Sequence, residues 1–263
     1  TGVQTCALPI YGTHFKVDKI LYAHAKPTPA NIIDGELTKC VALVCDVNFS
    51  RRKQDLILHN ILTNQQQFPQ IGHTIIIGKH VSDPAVIPTY DGFLSSICKS
   101  MNITVVPSRE DPTNAVYPIQ PIHPAVFQHT AKLSEYQGTT SPCILTINGI
   151  RTLILPYDII QHITKMCDAS TPTDAVLKIL EAGHLCPCAP FTVPCFPAET
   201  DPFVLEEPYP EIIIIAGCAT SCSTFNYENS ALTIITVPSF SQTNTLVLFD
   251  AESKALKPIV IDD

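Results

Sequence analysis

Residues 73–108 read HTIIIGKHVSDPAVIPTYDGFLSSICKSMNITVVPS, and this stretch decides the fold class. Two short runs rich in β-branched residues flank a segment with helical spacing, and the same alternation precedes them. Continuous apolar strands separated by helices predict a parallel sheet that is covered by helices. The predicted elements are, in order, a strand at 41–47, a helix at 52–67, a strand at 73–80, a helix at 87–102 and a strand at 103–108.

The second half of the chain has a different pattern. Asn148 and Gly149 separate two apolar runs, which predicts a β-hairpin over 143–156. A helix is predicted over Pro172–Glu181, because Ser170 or Thr171 can cap its start and Gly183 follows its end. The remaining predicted elements are a helix at 157–167, a proline-rich irregular segment at 187–210, strands at 211–218, 232–240 and 245–250, and a return strand at 257–261. We therefore predict an α/β (α+β) fold with two packed mixed β-sheets flanked by helices, in which the second half supplies antiparallel returns.

Composition limits the function classes. The chain has 263 residues and a net charge of −8, so binding of nucleic acid phosphates as its main task is disfavoured. Its longest apolar run, 212–216, has the length of a strand and predicts no membrane span. Eleven cysteines occur without a C-x-x-C pair, which favours buried apolar thiols over zinc ligands or disulfides.

The N-terminal residues stand apart from the rest. TGVQTCALPI, residues 1–10, has no charge and no strand or helical periodicity, and it resembles the translation of a sequencing-library adapter. We expect it to carry no function. Residues 15–24 (FKVDKILYAH) read as a strand that precedes a proline-bearing linker, so we place a domain boundary near residue 30.

Polar residues follow the predicted strands, where open α/β sheets bind their ligands. The strand ends read Asp46-Val47-Asn48, Gly78-Lys79-His80, Ser108-Arg109-Glu110-Asp111 and Gly217-Cys218-Ala219-Thr220. Their order resembles the calcineurin-like metallophosphoesterase superfamily, which carries D-x-H, G-D-x-x-D, G-N-H-[DE] and G-H-x-H at successive strand ends. In that superfamily these ligands hold two metal ions that activate water.

The match fails at most ligand positions. Asp46 and Asp111 remain, but Lys79 stands where the bridging carboxylate would be, and a cation there repels metal ions. The other departures are Asn48, Arg109, Glu110, Cys218 and Thr220. We therefore predict no catalytic residue, no metal and no cofactor, and we expect His80, Asp83 and His184 to be solvated or capping residues. A metal-dependent phosphodiesterase that uses Asp46, Asp111, His80 and His184 stays as the alternative.

Three further stretches carry a more specific resemblance. Residues 105–127, 183–205 and 233–250 resemble the B-subunit family of eukaryotic DNA polymerases alpha, delta and epsilon, most closely that of delta, and the likeness extends over about 15–259. Its signature residues are Asp111, Pro112, Gln120, Pro121, His123, Pro124, Asp201, Pro202 and Phe203.

This resemblance implies an inactivated phosphoesterase domain over 31–263, preceded by the end of an oligonucleotide/oligosaccharide-binding (OB) barrel within 11–30. It implies a non-catalytic nuclear scaffold in DNA replication, which binds the C-terminal cysteine-rich module of the polymerase delta catalytic subunit and a third subunit. The sliding clamp and DNA would be reached only indirectly, and a stand-alone binding module is a third possibility. We expect the Asp111 carboxylate to cap its own Asp-Pro turn.

Overall fold

The structure is a computed structural model with side chains, and it describes most of the chain after residue 39. The described residues are 4–9, 15–21, 40–49, 52–64, 66, 68, 71–81, 83–187, 189–218, 223–226, 232–250, 253 and 255–261, with backbone alone for 4–9, 15–21, 52 and 223–226.

Thirteen strands and five α-helices are formed by the described residues. The strands are β1 (Gln4–Pro9), β2 (Phe15–Leu21), β3 (Cys40–Cys45), β4 (Ile71–Ile77), β5 (Asn102–Val106), β6 (Tyr136–Gly138), β7 (Cys143–Ile147), β8 (Ile150–Pro156), β9 (Ile212–Cys218), β10 (Ser223–Asn226), β11 (Thr233–Pro238), β12 (Thr245–Asp250) and β13 (Leu256–Val260). The helices are α1 (Arg52–Thr63), α2 (Ile87–Cys98), α3 (Tyr157–Met166), α4 (Pro172–Ala182) and α5 (Phe240–Thr243).

Two mixed sheets pack face to face, as the sequence predicts. The six-stranded sheet has the order β13-β12-β3-β4-β5-β6, and the five-stranded sheet has the order β10-β11-β9-β8-β7. Alternate side chains of both sheets, such as Leu43, Ile75, Ile214 and Val237, form one shared buried cluster. The opposite faces are covered by helices, α1 and α2 on the larger sheet and α3 and α4 on the smaller one.

The predicted pairing of the second half is wrong in part. We expected antiparallel returns, but β8 pairs with β9 and β9 with β11 in parallel. Antiparallel pairs within that sheet lie at its edges, between β7 and β8 and between β10 and β11. Strands β12 and β13 return to the first sheet, where β12 is antiparallel to β3. The continuous apolar run of β9 is typical of a strand buried on both faces in a parallel sheet.

Predictions made from turn residues and helix caps agree with the structure better than the prediction of how the strands pair. The hairpin forms around Asn148 and Gly149, both at positive φ. Of the two candidate caps of α4, Thr171 is the N-cap. Its side chain accepts a hydrogen bond from the backbone N–H of Asp174, and the Asp174 carboxylate accepts one from the Thr171 N–H. The Ser170 hydroxyl instead bonds the Asp174 carboxylate at 2.8 Å.

The N-terminal segment differs from its sequence-based interpretation. Residues 1–10 show no strand periodicity, yet Gln4–Pro9 forms a strand antiparallel to Phe15–Leu21. Strand pairing uses backbone groups, so it does not require an alternating side-chain pattern. The end of the predicted strand, residues 22–24, lies outside the described residues, and the assignment to an OB barrel stays a prediction.

Two further predictions concern the whole fold. The eight cysteines whose side chains the structure describes are free thiols, and six of them are buried, as expected for small apolar residues. No helix among the described residues is long and apolar enough to cross a bilayer.

Candidate functional site: a polar cleft at the strand ends

The carboxyl ends of β3, β4, β5, β8 and β9 meet at a polar cleft of about 250 Å³. Four of the sequence-predicted residues line this cleft: Asp46, Lys79, Arg109 and Glu110. The two sheets therefore bring together residues from separate strand ends, as the rule for open sheets predicts.

Asp46 is held by the backbone around it. Its own φ is 51°, its N–H donates to the Ile77 carbonyl at 2.8 Å, and its carbonyl accepts from the Ser241 N–H at 3.2 Å. Its carboxylate lies against Gly78 and Gly217, and a Cβ on Gly78 would be 2.5 Å from Oδ1. Glycine at position 78 is therefore required by both the close approach and its φ of +74°.

Burial raises the pKa of the Asp46 carboxyl above its ordinary value. A hydrogen bond from Ser239 and the positive charge of Lys79 oppose this rise, but they do not cancel it. The Asp46 carboxylate is therefore half-buried between two glycines, and the charged group beside it is the Lys79 cation rather than further metal-binding side chains.

The positive charge of Lys79 is paired with the carboxylate of Glu110 on the adjacent loop. Its Nζ lies 3.0 Å from Oε1 of Glu110, and both side chains are substantially exposed. The hydrogen bond to Glu110 raises the pKa of Lys79. The cation that stands at the expected position of a bridging carboxylate therefore has its own anionic partner.

Arg109 belongs to a second group of contacts at the rim. Its guanidinium Nη1 lies 3.9 Å from Oδ2 of Asp158, and its Nε donates to the Ala115 carbonyl at 3.3 Å. The Tyr117 hydroxyl donates to the same Asp158 carboxylate, at 2.5 and 2.6 Å from its two oxygens. Burial first, and then the charge of Asp158, raise the pKa of Tyr117.

Tyr117 and Asp158 were missed by the sequence reasoning. Asp158 lies two residues after Pro156, the last residue of β8, so the strand-end rule could have found it. The strand ends that we considered for ligand binding belong to the first sheet and to β9, and the end of β8 was not among them. Tyr117 lies in a proline-rich loop, where no sequence pattern points to it.

Asp111 does not cap its own Asp-Pro turn, contrary to the prediction. Its buried carboxylate accepts hydrogen bonds from the backbone N–H groups of His80 (2.6 Å) and Val81 (3.1 Å), and from the N–H (2.8 Å) and hydroxyl (3.0 Å) of Ser108. These donors precede the turn or belong to the loop after β4. Asp111 therefore ties two strand-end loops together, and it is not among the residues that line the cleft.

His80 is a core residue, not the solvated or capping residue that we predicted. Its Nε2–H donates to the Val106 carbonyl and its Nδ1 is bonded to the Tyr90 hydroxyl, both at 2.9 Å. The side chain is fully buried. Asp83 does cap, since its carboxylate accepts from the Ala85 N–H at 2.9 Å.

His184 is buried rather than solvated, but the other part of the prediction, that it caps, is met by its hydrogen bond with a nearby backbone N–H. Its Nε2 lies 2.9 Å from Oδ2 of Asp201, and its Nδ1 accepts from the Cys186 N–H at 3.1 Å. These contacts lie in the proline-rich segment, away from the residues that line the cleft. The Cys218 thiol is buried in the core under the second sheet, and Thr220 lies outside the described residues.

The donors present do not fit a dinuclear metal centre. Of the four residues proposed for a phosphodiesterase, Asp46 alone lines the cleft, while Asp111 and His80 are engaged in backbone and core hydrogen bonds. Among the residues that the structure describes, no three His, Cys, Asp or Glu side chains converge on a common point. Hard-metal sites need several oxygen and imidazole donors aimed at one position.

The other signature residues, except Phe203, lie on the surface of the two proline-rich loops. Phe203 is buried and anchors its loop, as Ile122 does in the first one. The exposed members are Pro112, Gln120, Pro121, His123, Pro124, Asp201 and Pro202. Asn48, at φ 48°, is half-buried, and its N–H donates to the Lys79 carbonyl at 3.1 Å.

A family model for the B subunit of DNA polymerase alpha/epsilon matches residues 41–225, which include both loops and most of the cleft. The chain belongs to this family. The match runs from the first strand of the larger sheet to β10 and so covers most of the two-sheet domain.

Individual relatives agree with this family assignment. The DNA polymerase delta subunit 2 of Drosophila melanogaster is 26% identical over 166 residues, which are 62% of this chain and 38% of that protein. The DNA polymerase delta small subunits of Arabidopsis thaliana and Saccharomyces cerevisiae are 25% and 24% identical, over 73% and 94% of this chain. They are matched over 50% and 62% of their own lengths, so the chain spans about half of these relatives.

Solved structures add little. The protein TT1561 of Thermus thermophilus aligns over 85% of this chain and 99% of its own, with a TM-score of 0.43 and 10% identity.

Proposed function

We propose that this chain is part of a non-catalytic scaffold subunit of a replicative DNA polymerase of the delta type. The observation that carries the proposal is the family match over residues 41–225, together with relatives that are named as delta small subunits. Its partners would be the C-terminal cysteine-rich module of the catalytic subunit and a third subunit, and its compartment would be the nucleus. DNA and the sliding clamp would be reached through those partners.

The geometry of the cleft supports a non-catalytic role. The cation of Lys79 is paired with Glu110, and the carboxylate of Asp158 is bound by Tyr117, so these groups already have partners within the chain. A dinuclear hydrolase would instead need unpaired ligands facing a common position. The negative net charge also suits a subunit that does not grip DNA itself.

The alternative, a metal-dependent phosphodiesterase, has less support. It requires Asp46, Asp111, His80 and His184 to act on one substrate. Three of these side chains bind other groups of the protein in the described structure. Recruiting them would require breaking buried hydrogen bonds in two separate loops.

The scaffold proposal is tested by capture of a partner. The 263-residue chain, tagged and immobilised, is expected to retain a recombinant C-terminal module of the polymerase delta catalytic subunit. A tagged, unrelated acidic protein of similar size is the matched control. Failure of the chain to retain the module above that control would contradict the proposal.

The hydrolase alternative is tested on the same preparation. We expect no manganese-dependent cleavage of bis-p-nitrophenyl phosphate by the wild-type chain above the level of its Asp46→Ala variant. Hydrolysis that requires manganese and disappears in Asp46→Ala would establish the alternative instead.

A further inference from the structure

The proline-rich segment 183–208 is here called the platform, and its described residues (183–187 and 189–208) are anchored although they form no regular helix or strand. The Leu185 N–H donates to the Phe203 carbonyl at 2.8 Å, and the Leu205 N–H donates to the Gly183 carbonyl at 2.9 Å. Phe203, Leu205 and Val193 are buried in the core beneath it. The platform is therefore held in one shape before any partner binds, which reduces the entropy lost on binding.

The platform continues into the polar cleft through Tyr117. The Tyr117 N–H donates to the Pro194 carbonyl at 2.9 Å, and the Phe196 N–H donates to the Tyr117 carbonyl at 3.3 Å. The Tyr117 hydroxyl reaches Asp158 at the rim of the cleft. One buried tyrosine therefore contacts both the platform and the rim of the cleft.

The platform presents large apolar side chains to solvent. Phe191 is 94% exposed, although Val193, two residues later, is fully buried and fixes the turn that carries it. Phe196 and Val204 are also exposed, by 38% and 46%. Phe196 and Phe203 line a cavity of about 560 Å³ in the same segment. An exposed aromatic on an anchored loop beside a cavity is the arrangement found at energetically important positions of protein interfaces.

Apart from His184, the charged side chains of the platform itself have a single sign. The sequence contains no lysine or arginine between Lys178 and Lys254. Carboxylates follow Phe196 closely, at Glu199, Asp201, Glu206, Glu207 and Glu211. Asp201 is paired with His184, but Glu199, Glu206 and Glu207 are exposed and form no ion pair within the part of the chain that the structure describes.

We propose that the platform docks a basic segment of the polymerase catalytic subunit that also carries an apolar side chain. The apolar group would pack against Phe191 and Phe196, and lysine or arginine side chains would pair with Glu206 and Glu207. Complementary charge selects such a segment over an acidic one and excludes nucleic acid, whose phosphates the carboxylates repel. This inference rests on the proposed scaffold function and adds the surface and the chemistry of the contact.

The test compares platform variants with matched controls in the binding of the same C-terminal module. Phe191→Ala and the double variant Glu206→Lys/Glu207→Lys are each expected to raise its Kd by about tenfold or more. The apolar control is Leu56→Ala, since Leu56 is 64% exposed on α1. The charge control is Asp168→Lys. Asp168 is exposed and precedes the start of α4, whose 11 residues span roughly 16 Å before the platform begins at residue 183.

Both controls are expected to change Kd by less than about twofold, the scale of energetically neutral positions. Raising the salt concentration should weaken binding of the wild-type chain more than binding of the double lysine variant. Circular dichroism should show the same folded signal for all four variants, because each replaced side chain is exposed.

The outcomes separate the two proposals. If the wild-type chain binds the module and both platform variants bind equally well, the platform assignment is wrong while the scaffold function stands. If the wild-type chain does not bind at all, both are overturned. If Phe191→Ala abolishes self-association in sedimentation velocity and leaves module binding unchanged, the platform is a contact between copies and the proposed occupant is wrong.

Discussion

The Asp111 carboxylate links two strand-end loops through several hydrogen bonds, and its removal should destabilise the fold. It accepts four hydrogen bonds, three of them from backbone N–H groups of His80, Val81 and Ser108. Asp111→Ala removes the acceptor for all of them at once. The N–H groups of His80 and Val81 are at buried positions, so water reaches them only if the loops move apart.

The expected magnitude follows from those donors. Each buried N–H without an acceptor costs about 1–3 kcal/mol, and partial opening of the loops to water reduces the sum. We therefore expect Asp111→Ala to lower the free energy of unfolding by about 3–5 kcal/mol. Asp111→Asn keeps one oxygen but turns an amide NH2 toward backbone donors, and should cost roughly 2 kcal/mol.

The assay is urea unfolding of the 263-residue chain followed by circular dichroism, with linear extrapolation to water. The matched control is Asp83→Ala, which removes a single exposed cap on Ala85 and should cost about 0.5–1 kcal/mol. The reasoning is refuted if Asp111→Ala costs no more than Asp83→Ala at an unchanged m-value. In that case the four hydrogen bonds of Asp111 would contribute no more to the free energy of unfolding than one exposed cap does.

Three other perturbations have signs that the structure determines. Gly78→Ala should destabilise the chain by about 2–4 kcal/mol in the same urea assay, because φ at residue 78 is +74° and the added Cβ would meet a carboxylate oxygen of Asp46. The control is Gly92→Ala in α2, where an added Cβ has no atom within 4 Å. This variant should be neutral or stabilising by up to ~1 kcal/mol. Thr171→Ala should lower the thermal midpoint by the equivalent of about 1 kcal/mol, since it removes the capping box of α4, and Thr171→Ser should restore it. For Asp91, burial favours the protonated form, but hydrogen bonds from Thr130 and neighbouring backbone N–H groups prevail and leave the pKa below its ordinary value. Its stabilisation is present above about pH 4 and is lost as the pH falls toward the lowered pKa, so the difference in stability between wild type and Asp91→Asn should shrink in that acid range.

The strand-end cleft shows how a ligand-binding position of an open sheet can be filled from within the chain. Lys79 and Glu110 come from neighbouring loops and pair at 3.0 Å, and Asp46 lies between two glycines beside them. Such a pair is exposed and contributes little to stability. Its effect is to occupy the position with matched charges, whereas Glu206 and Glu207 of the platform form no ion pair among the described residues.

The sequence by itself determined the elements that depend on neighbours along the chain. The alternation of strands and helices over 40–106, the hairpin at Asn148 and Gly149, and the start and end of α4 all follow from local periodicity, turn residues and caps. Two packed sheets with helices on both outer faces also followed, because apolar faces of strands and helices must be buried against one another.

The tertiary structure alone decided the pairing of strands and the roles of polar side chains. Nothing in the apolar runs specifies that β12 returns to β3, or that β9 lies between β8 and β11. The Asp111 carboxylate bonds the N–H of His80, 31 residues away, and the His80 imidazole turns inward to Val106, 26 residues away. Such contacts depend on the relative positions of separate loops, so a residue at a strand end can face a cleft or the core with the same local sequence.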